Sequence, residues 1–313
     1  MKPEILIAAR LFAPTRATLE REFTCHRLFE AEDPDRFLRD VGPRIRGLAT
    51  FSGRRVDAKL MDALPKLEII SNFGVGVDSI DLEAARARGI IVTNTPDVLN
   101  DCVADTAMAL VLNTLRRFPR AEAYLRAGNW PTQGPFPLAT AVGGKTLGIL
   151  GLGRIGAAIA RRAEVFGMKI RYHNRRRRTD VPYPYDPDPV ALARESDVLM
   201  VVTPGGAETN GLVNAAVLDA LGPEGYLINV ARGSVVDEPT LLRYLQERRI
   251  AGAGLDVYVN EPDVPPEFFT LDNVVLLPHV GSATVETRTA MGELQIENLR
   301  LHFAGKPVRT PVV

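Results

Sequence analysis

Short apolar runs alternate along the whole chain with stretches whose apolar residues recur at helical spacing, the pattern of strands joined by crossover helices in a parallel sheet. A first series predicts strands at 4–9, 47–50, 67–72 and 90–93, with amphipathic helices at 56–64 and 82–88 and Gly89 as a left-handed cap. The series then breaks. Residues 98–125 read as one long helix kinked at Pro119, followed by a Pro/Gly-rich extended arm over 128–144. A second series begins with a strand at Thr146 and continues at 169–173, 198–202, 226–230, 252–257 and 274–277, and a long helix at 284–303 closes the chain. With the early block and the last helix left over, the simplest architecture is a doubly wound parallel-sheet domain over 98–285, including the arm 98–144, inserted into a smaller α/β domain made of 1–97 and 286–313.

A length of 313 residues agrees with this division, since domains average about 150 residues. Hydrophobic residues at 46% and charged residues at 24% are ordinary for a globular protein. Lys plus Arg and Asp plus Glu each number 38, so no net charge argues for nucleic acid or an acidic membrane as partner. Cys25 and Cys102 cannot build a disulfide framework and lack the clustered His of a zinc site, so no metal is expected and a reducing, cytoplasmic compartment fits best. The apolar run 5–9 is too short for a signal-peptide core. The long uncharged stretch 127–144 contains Pro131, Pro135 and Pro137 and cannot be a spanning helix of roughly 20 apolar residues.

The strongest motif is KTLGILGLGRIG, a buried strand running into Gly151-Leu152-Gly153-Arg154-Ile155-Gly156 and then into a helix over 157–166. Gly151 permits the tight turn, Gly153 lets the backbone approach a pyrophosphate, and Gly156 allows close helix-to-strand packing; the helix N-terminus faces the anion. An earlier echo, Gly74, Gly76 and Ser79 after a strand, lacks the third glycine. NAD sites place a carboxylate about 20 residues past the first glycine. Here the strand ends in Asn174, Arg175, Arg176, Arg177 and Arg178 instead. Arginines at this point pair a 2′-phosphate, so NADP(H) is the expected cofactor, with Arg175 and Arg176 as ligands and the other two in a solvated loop.

Three later strand ends deliver Arg232, Glu261 and His279 to the face where open parallel sheets bind ligands. An arginine can fork onto a small carboxylate, an imidazole can exchange a proton near neutral pH, and a glutamate can orient that imidazole and favour its charged form. Of the four histidines, only His279 lies between an apolar strand and a Gly-Ser turn.

On these residues the chain resembles the D-isomer-specific 2-hydroxyacid dehydrogenases, particularly the NADP-dependent glyoxylate/hydroxypyruvate reductases and the hydroxyphenylpyruvate reductases. SNFGVGVDSID from Ser71, GLGRIG from Gly151, NVARGSVVDE from Asn229, GLDVYVNEP from Gly254 and LPHVGSAT from Leu277 carry the likeness in order across nearly the whole chain. The resemblance implies a Rossmann cofactor domain inserted into a flavodoxin-like substrate domain, with Arg232, Glu261 and His279 as the catalytic triad. It implies backbone N–H groups of Val75 and Gly76, with Arg232, on the substrate carboxylate. It also implies a cofactor lined by Thr203, Pro204, Val230, Ala231, Asp256 and Gly281, and a homodimer formed through the arm that carries Trp130. The activity it implies is NADPH-dependent reduction of a small 2-keto acid to the D-2-hydroxy acid. The rivals are an aryl-keto-acid (hydroxyphenylpyruvate) reductase and a non-catalytic, dinucleotide-sensing protein like a co-repressor.

Overall fold

The computed structural model describes residues 2–313, in two compact units: one is the chain up to Leu99 together with Thr284–Val313, the other Asn100–Ala283. The first unit holds five parallel strands, β1 (Glu4–Ile7), β2 (Thr24–Arg27), β3 (Gly47–Phe51), β4 (Ile69–Phe73) and β5 (Ile91–Thr93), in the order β2-β1-β3-β4-β5. This is the flavodoxin-like order. Inner strands of such a sheet are covered on both faces and read as continuous apolar runs, which is why Ile5, Leu6 and Ile7 are fully buried. The edge strand β2, TCHR, needs no apolar run and has no such signal in the sequence. Aspartates 33, 57 and 81 cap the helices Pro34–Val41, Ala58–Asp62 and Leu82–Ala87 by accepting the N–H groups of Arg36, Leu60 and Ala84. The helix foreseen at 56–64 is therefore shorter, because Asp57 starts it and Val56 pairs with Ile80 in a bridge.

The helix Val285–Phe303 returns from the end of the chain to pack on β4. Its Gln295 is fully buried, and Nε2 donates to the carbonyls of Thr50 at 2.9 Å and Ser71 at 2.8 Å. Ser71 Oγ donates in return to the Gln295 carbonyl at 3.0 Å, and Thr93 Oγ1 donates to Ser71 Oγ at 3.1 Å. One polar network thus ties the last helix to β3, β4 and β5.

The second unit holds β6 (Thr146–Leu150), β7 (Lys169–His173), β8 (Val198–Val201), β9 (Tyr226–Asn229), β10 (Gly252–Leu255) and β11 (Val274–Leu276), all parallel, in the order β11-β10-β9-β8-β6-β7. A parallel bridge from Tyr172 to Tyr185 marks the place beyond β7 where a doubly wound sheet carries its next strand. Strand order reverses between β6 and β8, so the crevice at their carboxyl ends is the topological switch point.

The single kinked helix foreseen over 98–125 is two helices, Asn100–Arg116 and Phe118–Arg126, separated by Arg117 at φ +54°. Pro119 falls in the first turn of the second helix, where its missing N–H costs nothing, and so starts a helix instead of bending one. The arm is not extended throughout either: Asn129–Gln133 is helical between Gly128 and Gly134, both at positive φ. The helix Asn100–Arg116 lies so close to β10 that a Cβ at Gly254 would come within 2.7 Å of Thr114 Oγ1.

Replacing Gln295 by Leu removes both hydrogen bonds that its buried amide donates to the strand carbonyls. Denaturant unfolding of Gln295→Leu is expected to show a loss of about 2–3 kcal/mol; a loss below about 0.5 kcal/mol would mean that the network does not hold the helix to the sheet.

Candidate active site

The carboxyl ends of β9, β10 and β11 each continue into a turn that a buried side chain fixes. After β9, Asn229 is buried; its Oδ1 accepts the N–H of Ala231 at 3.0 Å and its Nδ2 donates to the carbonyl of Arg232 at 3.0 Å. Arg232 is half-buried and donates from Nη1 to the Ala231 carbonyl at 2.8 Å. The next residue must be glycine, since a Cβ at Gly233 would fall 1.9 Å from the carbonyl carbon of Tyr258. The Arg232 turn is thereby pressed against the chain leading to Glu261.

After β10, the N–H of Tyr258 donates to Glu261 Oε1 at 3.0 Å and its hydroxyl donates to the Leu277 carbonyl at 3.0 Å. Burial pushes the Tyr258 phenol up, so it stays a donor at any physiological pH. Glu238, on the helix Glu238–Gln246, accepts the N–H of Val259 at 3.1 Å. After β11, His279 adopts a left-handed φ of +53°, which a residue with a side chain holds only when its surroundings enforce it. Asp256 does so: its two oxygens accept the N–H groups of Val280 at 2.7 Å and Gly281 at 2.8 Å. Burial pushes the Asp256 carboxyl up, and those two N–H groups pull it back only in part.

His279 Nδ1 and Glu261 Oε2 are 2.6 Å apart. Since a carboxylate only accepts, Nδ1 carries the proton of this bond and Nε2 is left for proton exchange. Burial pushes the Glu261 carboxyl up, but the hydrogen bond and charge of His279, the Tyr258 N–H and the charge of Arg232 outweigh it and hold the group below its ordinary range. Glu261 is thus held as an anion.

At the switch point, Gly151 has φ +107°, and a Cβ there would meet the backbone nitrogen of Thr203 at 2.8 Å. A Cβ at Gly156 would lie 2.5 Å from the Gly151 carbonyl, whereas nothing stands within 4 Å of one at Gly153. Open space therefore lies over Gly153, at the start of the helix Arg154–Val165, whose first turn has no side-chain cap. Asn174 grips the loop, accepting the N–H of Leu152 at 2.6 Å and donating to its carbonyl at 3.3 Å. Thr203, next to Pro204, keeps a buried hydroxyl without a partner, and the N–H of Val230 donates to the Val201 carbonyl at 3.2 Å.

The arginine run divides differently from the expectation. Arg175 is exposed and ion-paired with Glu208; Arg176 and Arg177 are exposed. Arg178 is not part of a solvated loop: it pairs with Asp180 and donates from Nη1 to the Leu152 carbonyl at 3.1 Å. The structure therefore brings His279, Glu261, Asp256 and Gly281 together and Asn174 onto the glycine loop, while Arg175 turns to Glu208. Val75 and Gly76 lie in the first unit, in the turn after β4. Asn229, Glu238, Glu208 and Arg178 escaped the sequence reading. Only Asn229, the last residue of its strand ahead of VARG, had a position that marks it.

The profile of the D-isomer specific 2-hydroxyacid dehydrogenase NAD binding domain matches residues 108–281. The hydroxyphenylpyruvate reductase of Plectranthus scutellarioides and the glyoxylate/hydroxypyruvate reductase A of Arabidopsis thaliana are each 49% identical over 295 residues, 94% of either chain. The chain belongs to the D-isomer specific 2-hydroxyacid dehydrogenase family. Among solved structures, the NADPH-dependent glyoxylate/hydroxypyruvate reductase of Sinorhizobium meliloti, crystallised with NADP and malonate, superposes with a TM-score of 0.95 at 48% identity, covering 100% of this chain and 97% of that one. As a member of this family, the protein is an oxidoreductase.

Asp256→Asn places an amide nitrogen against one of two N–H donors, so the His279 turn loses a bond and gains a repulsion. A stability loss of about 1–3 kcal/mol is expected on thermal unfolding, with turnover down more than about tenfold. A variant with the parent's melting temperature and turnover would remove Asp256 from this role.

Proposed function

We propose that this family member is an NADPH-dependent reductase of small 2-keto acids, of the glyoxylate/hydroxypyruvate type, giving the D-2-hydroxy acid. The observation that carries the reading is the 2.6 Å bond between His279 and the Glu261 anion on the sheet that also bears the glycine loop. The loop fits a dinucleotide: Gly153 leaves room, the helix behind it offers uncapped N–H groups, and the Thr203 hydroxyl awaits a partner. Residues 151–156 would hold the pyrophosphate. Thr203, Pro204, Val230, Ala231, Asp256 and Gly281 would line the rest, Asp256 keeping lone pairs beyond those its two N–H donors use. Asn174 stands where an NAD enzyme has a carboxylate, and the exposed Arg175 and Arg176 would meet a 2′-phosphate. The exposed pair with Glu208 opposes this weakly, since such pairs are worth about 0–1 kcal/mol.

When bound, a reduced nicotinamide would supply the hydride that the keto carbon needs. Arg232 holds the substrate carboxylate and polarises the carbonyl; the Val75 and Gly76 N–H groups of the first unit are the further substrate ligands of this reading. His279 Nε2 gives its proton to the oxygen, so the keto group gains hydride and proton and the imidazole ends neutral, to be recharged from solvent. Glu261 keeps the imidazolium favoured and oriented until then. Support for this substrate class comes from the relatives, with an aryl-keto acid as the alternative that the Plectranthus enzyme's name raises.

The arm favours a homodimer. Phe118, Leu125, Trp130 and Leu138 are all exposed apolar residues within a short span, Leu138 at 98% exposure, an unusual density for a surface that faces only water. The free state of Cys25 and Cys102 fits a reducing, cytoplasmic setting.

Two experiments test these readings. NADPH and NADH are each offered with glyoxylate, hydroxypyruvate, pyruvate and phenylpyruvate. NADPH oxidation is expected with the first two, and Arg175→Ala raises the KM for NADPH more than that for NADH. Failure with all four acids, or equal losses with both cofactors, would overturn the substrate class or the 2′-phosphate assignment respectively. Sedimentation should show twice the 34.2 kDa chain mass, falling to the monomer in a Leu125→Glu/Leu138→Glu variant; a monomeric parent would contradict the dimer.

A further inference from the structure

The turn after β4 carries an arrangement that neither a strand end nor a glycine turn requires. Gly74 has φ +138°, and a Cβ there would lie 2.0 Å from Ser52 Oγ, so the turn sits directly on that side chain. Asn72 is fully buried; its Nδ2 donates to the carbonyls of Gly76 at 2.9 Å and Gly74 at 3.2 Å. Ser52 Oγ donates to the Gly76 carbonyl as well, at 3.0 Å. From the next strand end, Asn94 Nδ2 donates to the Val75 carbonyl at 2.8 Å, and Thr95 pairs with both backbone groups of Gly74, at 2.9 Å to the N–H and 3.0 Å to the carbonyl.

Three successive carbonyls, those of Gly74, Val75 and Gly76, are thus turned onto side chains. The N–H groups of Val75 and Gly76 donate to no group among the described residues. The arrangement is costly. A buried amide loses water on both its polar atoms, and Asn72 Oδ1 finds no partner in return. A small apolar residue would satisfy β4 better; what Asn72 contributes is the orientation of the peptide planes above it. Consecutive N–H groups left facing outward in this way form an anion-binding concavity.

We infer that Asn72 is a positioning residue: with Ser52 and Asn94 it holds the turn's carbonyls inward, so that the Val75 and Gly76 N–H groups are set in advance to take the carboxylate of the substrate. The identity of that anion as a 2-keto acid rests on the proposed reductase reading. The geometry by itself specifies a small anion. A site set in advance spends less binding energy on ordering itself, and the carboxylate is present in substrate and transition state alike. The effect of losing it therefore appears in KM more than in kcat.

The test uses the full-length protein and oxalate, a dicarboxylate with no keto group to reduce. Calorimetry gives its Kd, NADPH fluorescence gives the cofactor's Kd, and glyoxylate kinetics give KM and kcat. In Asn72→Leu the oxalate Kd and the glyoxylate KM rise by about three- to tenfold together, kcat falls by less, and the NADPH Kd stays where it was. Ser52→Ala and Asn94→Ala, each of which removes one donor, move the same two constants in the same direction by about two- to fivefold and decide the matter if Asn72→Leu does not fold. Unchanged oxalate Kd and KM in folded variants, or a loss confined to kcat, would overturn the inference. If oxalate binding weakens in the variants while the parent reduces no keto acid, the positioning role stands and the reductase reading falls. A parent that binds no oxalate overturns the inference, and the reductase reading then stands or falls on the glyoxylate kinetics alone.

Discussion

The bond between His279 and Glu261 is the interaction on which the rest of the larger unit depends. An imidazole exchanges protons usefully only if one nitrogen is fixed and the other presented, and a carboxylate on Nδ1 does both. The two residues leave the sheet from different strands, so their meeting at 2.6 Å is a demand on two turns at once. Asp256 answers it on one side by anchoring the left-handed His279 turn, and Tyr258 on the other by offering its N–H to Glu261 and its hydroxyl to the end of β11. Gly233 then lets the Arg232 turn close on the same segment, which is why the arginine's charge is felt at Glu261.

The same device recurs through the molecule. Asn229, Asp256, Asn174 and Asn72 are side chains that satisfy backbone groups where regular pairing stops. Burying a polar side chain is unfavourable unless its bonds are made, so each such residue stabilises the one backbone path that meets its donors and acceptors and penalises the others. Strand ends of a parallel sheet have no hydrogen-bonded continuation. In this protein they are shaped by polar side chains, and the residues proposed to carry the chemistry sit on them.

The sheet was legible because its inner strands are covered on both faces: β7 lies within the bounds that its apolar run predicts, and β1, β6, β8 and β9 differ only at their ends. The glycine loop and the three strand-end residues were legible because each follows such a run. What escaped has a physical reason in each case. β2 is an edge strand reading Thr-Cys-His-Arg, with no apolar run to mark it. The break at Arg117 depends on a left-handed residue that no composition marks, and Pro119 reads equally well as a kink or a helix start until the hydrogen bonds are known. Arg178 and its three predecessors are identical in type; only the fold decides that one caps the Leu152 carbonyl while another finds Glu208. Glu208 and Glu238 lie far in sequence from the groups they meet, and no spacing rule reaches them.

The pH dependence of kcat/KM for NADPH-driven keto-acid reduction, compared between the parent and Glu261→Gln, tests the central claim most directly. Glu261 favours the protonated donor, so its neutral replacement should lose that donor at lower pH: the alkaline limb of the profile moves to lower pH and the maximum falls. A limb that stays in place in the variant would show that the proton does not come from the His279–Glu261 pair.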